Sequence, residues 1–151
     1  MSITLEEARA RAAAMGHTMG GGEGRETERW WFFPVSQVGC KGIVVEKDDG
    51  TVTGLGSVGD LEDWLWAYDA GLVRGDAHVV DLIVEDFRDL AQAISILQDV
   101  GIAPNDWRAI RDVLAHLPAR FERVPLWMNM RALRAIDTTI VRWRVEPSSR
   151  P

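Results

Sequence analysis

Four aromatic residues stand in a row from Trp30 to Phe33, and neither a period of two nor one of 3.6 puts them on a single face. The run predicts a strand apolar on both sides and ended by Pro34, one that is covered twice or meets a partner. Ahead of it, Thr4 and Glu7 stand at capping-box spacing with Ile3 as a possible staple, which predicts a helix through about Met15. The glycine-rich stretch 15–24 breaks all periodicity and predicts a mobile loop. After the aromatic run, Ile43 to Glu46 and Thr51 to Leu55 read as the arms of a hairpin turned by Asp48, Asp49 and Gly50. Asp60 then caps a helix that Gly71 ends.

Within that helix Leu61, Trp64, Leu65, Tyr68 and Leu72 fall at i, i+3, i+4, i+7 and i+11, the stripe of a core face. Side chains two apart on a helix point about 200° apart, so Trp66 leaves the face that holds Trp64. It is either the centre of an interface or covered by the second half of the chain.

The second half opens near Asp76 with HVVDLIVE, whose His78, Val80, Leu82 and Val84 alternate as one side of a strand. Phe87, Leu90, Ala91, Ile94 and Leu97 then predict a helix stopped by Gly101. Trp107, Ile110, Leu114 and Leu117 predict a second, stopped by Pro118, and Leu126, Met130, Leu133 and Ile136 a third from about Pro125. TTIVRWRV closes the chain as a strand with Val141, Trp143 and Val145 on one side and Ile140, Arg142 and Arg144 on the other. The expected class is α+β: a helix-strand-hairpin-helix domain over 1–75, and a strand-helix-helix-helix-strand domain over 76–151 packed against it, whose two strands pair.

Charge changes this picture by its distribution. The 151 residues carry −6, but residues 1–99 hold 18 acids against 8 Lys and Arg, a balance of −10, while residues 100–151 hold 5 against 9, a balance of +4. The densest acidity runs from Asp60 to Asp89. Such a surface repels nucleic acid and attracts basic proteins, although acidic runs also serve simply as solvated faces. A single cysteine rules out an intrachain disulfide, the N-terminal stretch carries acids early and lacks an apolar core of signal-peptide length, and no stretch approaches the ~18 apolar residues of a membrane span, so the cytoplasm is the expected location.

Chemical signatures are sparse. His17, His78 and His116 fall in a loop, a strand and a helix without metal-ligand spacing, and no cofactor or metal is expected. Cys40 lies beside Lys41, and no histidine is close to it in sequence. The glycine stretch has neither the preceding strand nor the following helix of a phosphate loop. Arg142, Trp143 and Arg144 interleave charge and a ring as single-strand nucleic-acid binders do, but alternation sends the ring and the arginines to opposite faces.

The pieces TLEEARARA, WWFFPVS, KGIVVEKDDGTVTG and LEDWLWAYDAG, over about residues 1–72, are similar to the YrhB-type domain, a small α+β family common among immunity proteins of bacterial polymorphic toxin systems. Residues 77–147 resemble, in the order of their elements, the C-terminal domain of the ribosomal stalk protein. That segment has no lysine, so the stalk domain's lysine-rich factor-binding surface is missing and fold alone is implied. The first resemblance implies an intracellular protein, without catalysis of its own, that binds one toxin domain. The candidate toxin-binding residues are Glu62, Asp63, Trp66, Asp69, Asp76 and Asp81. Two rival readings stand beside it: an adaptor or assembly protein that binds a housekeeping partner or itself, and an enzyme using Cys40. An oligomer is possible but not predicted.

Overall fold

The computed structural model describes residues 2–73 and 79–148. Among the described residues, five helices and two antiparallel sheets make an α+β fold, and the chain forms two compact units, Met1–Trp64 and Leu65–Pro151. The boundary falls inside a helix, whereas the expected one lay after residue 75.

In the first unit, α1 (Leu5–Ala13) starts on the predicted capping box: Thr4 Oγ1 accepts from Glu7 N–H, and the Glu7 carboxylate accepts from Thr4 N–H at 2.7 Å. Four strands follow, β1 (Arg25–Glu26), β2 (Trp30–Gln37), β3 (Cys40–Glu46) and β4 (Val52–Leu55), hydrogen-bonded in that order. The aromatic strand passes through Pro34 and ends at Gln37: the Pro34 carbonyl accepts from Gly20 N–H, so the side of Pro34 that lacks an N–H faces away from β3 and interrupts no β2–β3 bond. A two-residue turn, Val38 and Gly39, joins it to β3, with Gly39 at φ +95°. The next turn is the predicted one: Asp49 Oδ1 accepts from Thr51 N–H at 2.8 Å.

The expectation of a strand apolar on both faces holds for the aromatic run. Phe33, Ile43 and Val45 are buried with Ala8 and Ala12 of α1, while Trp30, Phe32, Val44 and Leu55 are buried as well. Each such large side chain contributes about 1.5–3 kcal/mol by leaving water. Gly42 is required here, since a Cβ would meet the Phe32 ring at 2.3 Å.

The glycine stretch differs from the expectation of a mobile loop. Gly20 N–H donates to Pro34 O at 2.9 Å, Ser36 N–H donates to Thr18 O at 3.0 Å, and Arg25 and Glu26 pair with Phe32 and Trp31. The strap therefore lies along the edge of β2. Its glycines permit that approach, for a Cβ on Gly24 would stand 2.9 Å from Phe32 O.

The helix α2 (Leu61–Asp69) crosses the boundary between the units. In the second unit, β5 (Val79–Phe87) is the centre of a three-stranded sheet between β6 (Ala119–Pro125) and β7 (Val141–Pro147). The expected pairing of the first and last strands is present as β5 with β7. The strand β6 was not expected; Ala119 and Phe121 alternate inward against exposed Arg120 and Glu122, a pattern short enough to pass for a helix connection. Between the strands run α3 (Leu90–Asp99), α4 (Trp107–Leu114) and α5 (Leu126–Arg134). Phe87 ends β5 instead of opening α3, which starts where Asp89 accepts from Gln92 N–H. Trp107 and Leu117, expected on the buried stripe of α4, are exposed, and Ile110 and Leu114 carry that stripe alone.

The two faces of this sheet differ. Val80, Leu82 and Val84 lie in register with Phe121, Ala119, Trp143 and Val145. The opposite face carries a ladder of ion pairs: Asp81 with Arg120, Arg120 with Glu146, Glu146 with Arg144, and Glu85 with Arg144 and Arg142. The basic closing strand is thus neutralised within its own sheet.

Candidate functional site

The acidic helix α2 presents two arcs. Trp64, Leu65, Ala67 and Tyr68 are buried, and Trp64 Nε1 donates to Val58 O at 2.7 Å, which anchors the indole and spends its only donor inward. Glu62, Trp66 and Asp69 stand at i, i+4 and i+7 and share the other face. Glu62 and Asp69 are exposed, and Trp66 is half-buried. Its ring packs on Trp143 with centroids 6.4 Å apart and planes tilted by 49°, a favourable offset for two aromatic quadrupoles. Trp66 is therefore part covered and part available, between the two alternatives that the sequence left open.

Charge on this face is arranged against the local electrostatics at one position. Glu62 lies in the first turn, where the positive end of the helix dipole favours it, and it forms an exposed ion pair with Arg25. Asp69 closes the same helix, whose last turn holds no basic residue. A carboxylate there opposes the dipole. Residues that break a local rule in this way are expected at functional or strained sites.

The remaining candidates separate from this face. Asp63 is only 7 % exposed and belongs to the buried arc, one turn from Ala67, so it does not present its carboxylate at a surface. Asp81 is fully buried. Its Oδ1 accepts from Arg123 N–H at 3.0 Å while its other oxygen meets Arg120. Arg123 has φ +58°, the left-handed region in which a residue with a Cβ is strained, and the Asp81 hydrogen bond holds it there at the irregularity of β6. Burial opposes ionisation of Asp81, but the hydrogen bonds from Arg123, Arg120 and Ser148 outweigh it and keep the carboxyl below its ordinary value. Asp81 is thus a structural carboxylate, and its partners leave it no access to a protein partner. Asp76 and His78 lie outside the described residues.

Cys40 is buried, and its thiol donates to Gly42 O at 3.3 Å. Among the described residues no group of three or more His, Cys, Asp or Glu could hold a metal ion, and no helix is long and apolar enough to cross a membrane. The first unit holds a cleft of about 620 Å³ between α1 and the glycine strap, lined in part by Leu5, Arg9, Gly22 and Trp31. Two of its charged lining residues are committed to neighbours, Glu26 to Lys47 at 2.7 Å and Arg25 to Glu62.

Sequence reasoning missed the outer face of α5, where Trp127 and Met128 are exposed. The signal was present: both are off the stripe of Leu126, Met130 and Leu133 that the helical period assigns to the core. Comparison with protein-family models, with characterised proteins and with solved structures finds no match to this chain.

Proposed function

We propose that this chain is an immunity protein that binds and neutralises the toxic domain of a bacterial protein through the Glu62, Trp66 and Asp69 face of α2. The observation that carries the reading is Asp69, an acid set against the dipole of its own helix, beside a half-exposed tryptophan. A partly exposed aromatic anchor flanked by acids is the composition of an interface centre and rim, suited to a basic partner that the charge steers and the ring holds. The resemblance of residues 1–72 to the YrhB-type domain, read from the sequence and matched by no family model, points to the same reading. Asp63 and Asp81 are no part of the surface, and the reading does not need them.

The test starts from an affinity pull-down of the tagged protein from cells that express its genomic neighbours, with the stoichiometric partner identified by mass spectrometry. The expected partner carries a C-terminal domain that stops growth when expressed alone and not when co-expressed with this chain. Trp66→Glu should weaken that complex by at least about 30-fold, the size of a hot-spot loss. A folded Trp66→Glu protein that binds and protects like the wild type removes α2 from the interface. Recovery of only self-copies or housekeeping proteins supports an adaptor instead.

A further inference from the structure

One wall of the cleft in the first unit follows from helical period. Leu5, Arg9 and Ala13 stand at i, i+4 and i+8 on α1 and line it together. The floor is aromatic, from half-buried Trp31 and from Phe33, which packs with Ala8, Ala12 and Ile43. The opposite wall is the glycine strap, tied to β2 at both ends, by the bridge of Met19 with Val35 and by the pairing of Arg25 and Glu26 with Phe32 and Trp31. Among the described residues, the N–H groups of Gly22 and Gly24, between those ties, donate to no protein acceptor.

Three charged residues line this cleft, and two of them are committed, Arg25 to Glu62 and Glu26 to Lys47 at 2.7 Å. Lys47 also stands 4.8 Å from the centroid of the Trp31 ring, so the floor is held from behind the lining. The third, Arg9, is exposed and has no ion-pair partner among the described residues. The cleft therefore joins one uncompensated positive charge to an aromatic floor. Its volume of about 620 Å³ falls within the roughly 300–1,000 Å³ of small-ligand sites, which combine apolar walls with a few polar groups.

We propose that this cleft binds a small monoanion with a planar apolar body, an aromatic carboxylate. The ring lies on Trp31 and Phe33, where offset or tilted packing of aromatic rings is favourable. The carboxylate meets the Arg9 guanidinium, whose fork takes both oxygens at once, and the strap adds N–H donors. Charge selects the occupant: one uncommitted cation matches one carboxylate, whereas a polyanion meets the −6 of the whole chain. No residue of α2 lines the cleft, so the proposal does not depend on the toxin reading.

Isothermal titration calorimetry of the full chain with 2-naphthoate, and with 2-naphthalenemethanol as its neutral counterpart, tests the proposal. Saturable binding of one naphthoate per chain is expected, weakened at least about 10-fold in the neutral compound and in Arg9→Gln, a loss of about 1.4 kcal/mol or more. Ala13→Trp, at an exposed helix position that lines the cleft, should fill it and abolish binding. Far-UV circular dichroism confirms that both variants fold. Trp66→Glu should bind naphthoate as the wild type does, which separates the cleft from the α2 face. Absence of saturable binding, equal affinity for the neutral compound, binding unchanged in Arg9→Gln or in Ala13→Trp, or tighter binding of a short peptide ending in phenylalanine overturns the proposal.

Discussion

The helices α2 and α5 are each nine residues long, and each keeps one tryptophan off its core stripe, yet they differ in how charge sits on them. In α5 both basic residues of the last turn agree with the helix dipole, so stability alone accounts for their sign. In α2 Glu62 agrees with the dipole and Asp69 opposes it. The difference teaches which charges can be read as functional. A charge the local field favours is ambiguous, and a charge it disfavours calls for another cause.

The comparison breaks first at the inner faces, where both helices should be anchored by packing. Trp64→Ala removes a buried indole and its bond to Val58 O, and should cost about 3–5 kcal/mol in urea denaturation. Leu133→Ala on α5 should cost about 2–5 kcal/mol. A loss under about 1 kcal/mol at either site would mean that the helix is not held as described.

Buried and exposed acids separate at the next scale. Asp81→Asn should cost about 1–3 kcal/mol, since the Arg123 N–H loses its charged acceptor while Arg120, partly exposed, can turn to solvent. The pH dependence has a definite sign. Asp81 and Glu146 are held below their ordinary values when folded, Asp81 by hydrogen bonds that overcome burial and Glu146 by Arg144 and Arg120. Their stabilisation is present above the unfolded carboxylate value of about 4 and is lost as pH falls through the lower folded values. Thermal midpoints should therefore drop below about pH 4, and by less in Asp81→Asn than in the wild type. An equal drop in both would remove Asp81 from the cause.

The smallest effects bear on the dipole argument itself. Asp69→Asn should raise stability by about 0.3–1 kcal/mol and Arg134→Gln should lower it by a similar amount. The same sign in both would show that the dipole does not decide either position.

Much of the fold was legible because local signals and tertiary placement agreed. The capping box of α1, the Asp49 turn and the stripe of α5 each follow from short-range chemistry. What was not legible depended on partners distant in sequence. The β6 strand exists because Leu82, Ile83 and Val84 offer it a ladder, and the glycine strap is held by carbonyl and N–H groups of β2. Of the candidate site, Glu62, Trp66 and Asp69 were readable from one helix. The burial of Asp63 and Asp81 was not legible, because an acid in an acidic run looks exposed until its buried partners or neighbours are known. Asp76 lies outside the described residues.

The most direct test of the α2 face compares stability and protection in one variant. Asp69→Lys should leave the thermal midpoint at or above the wild-type value and yet fail to restore growth to cells expressing the captured toxin domain. Full protection by that variant, at equal expression, would contradict the account.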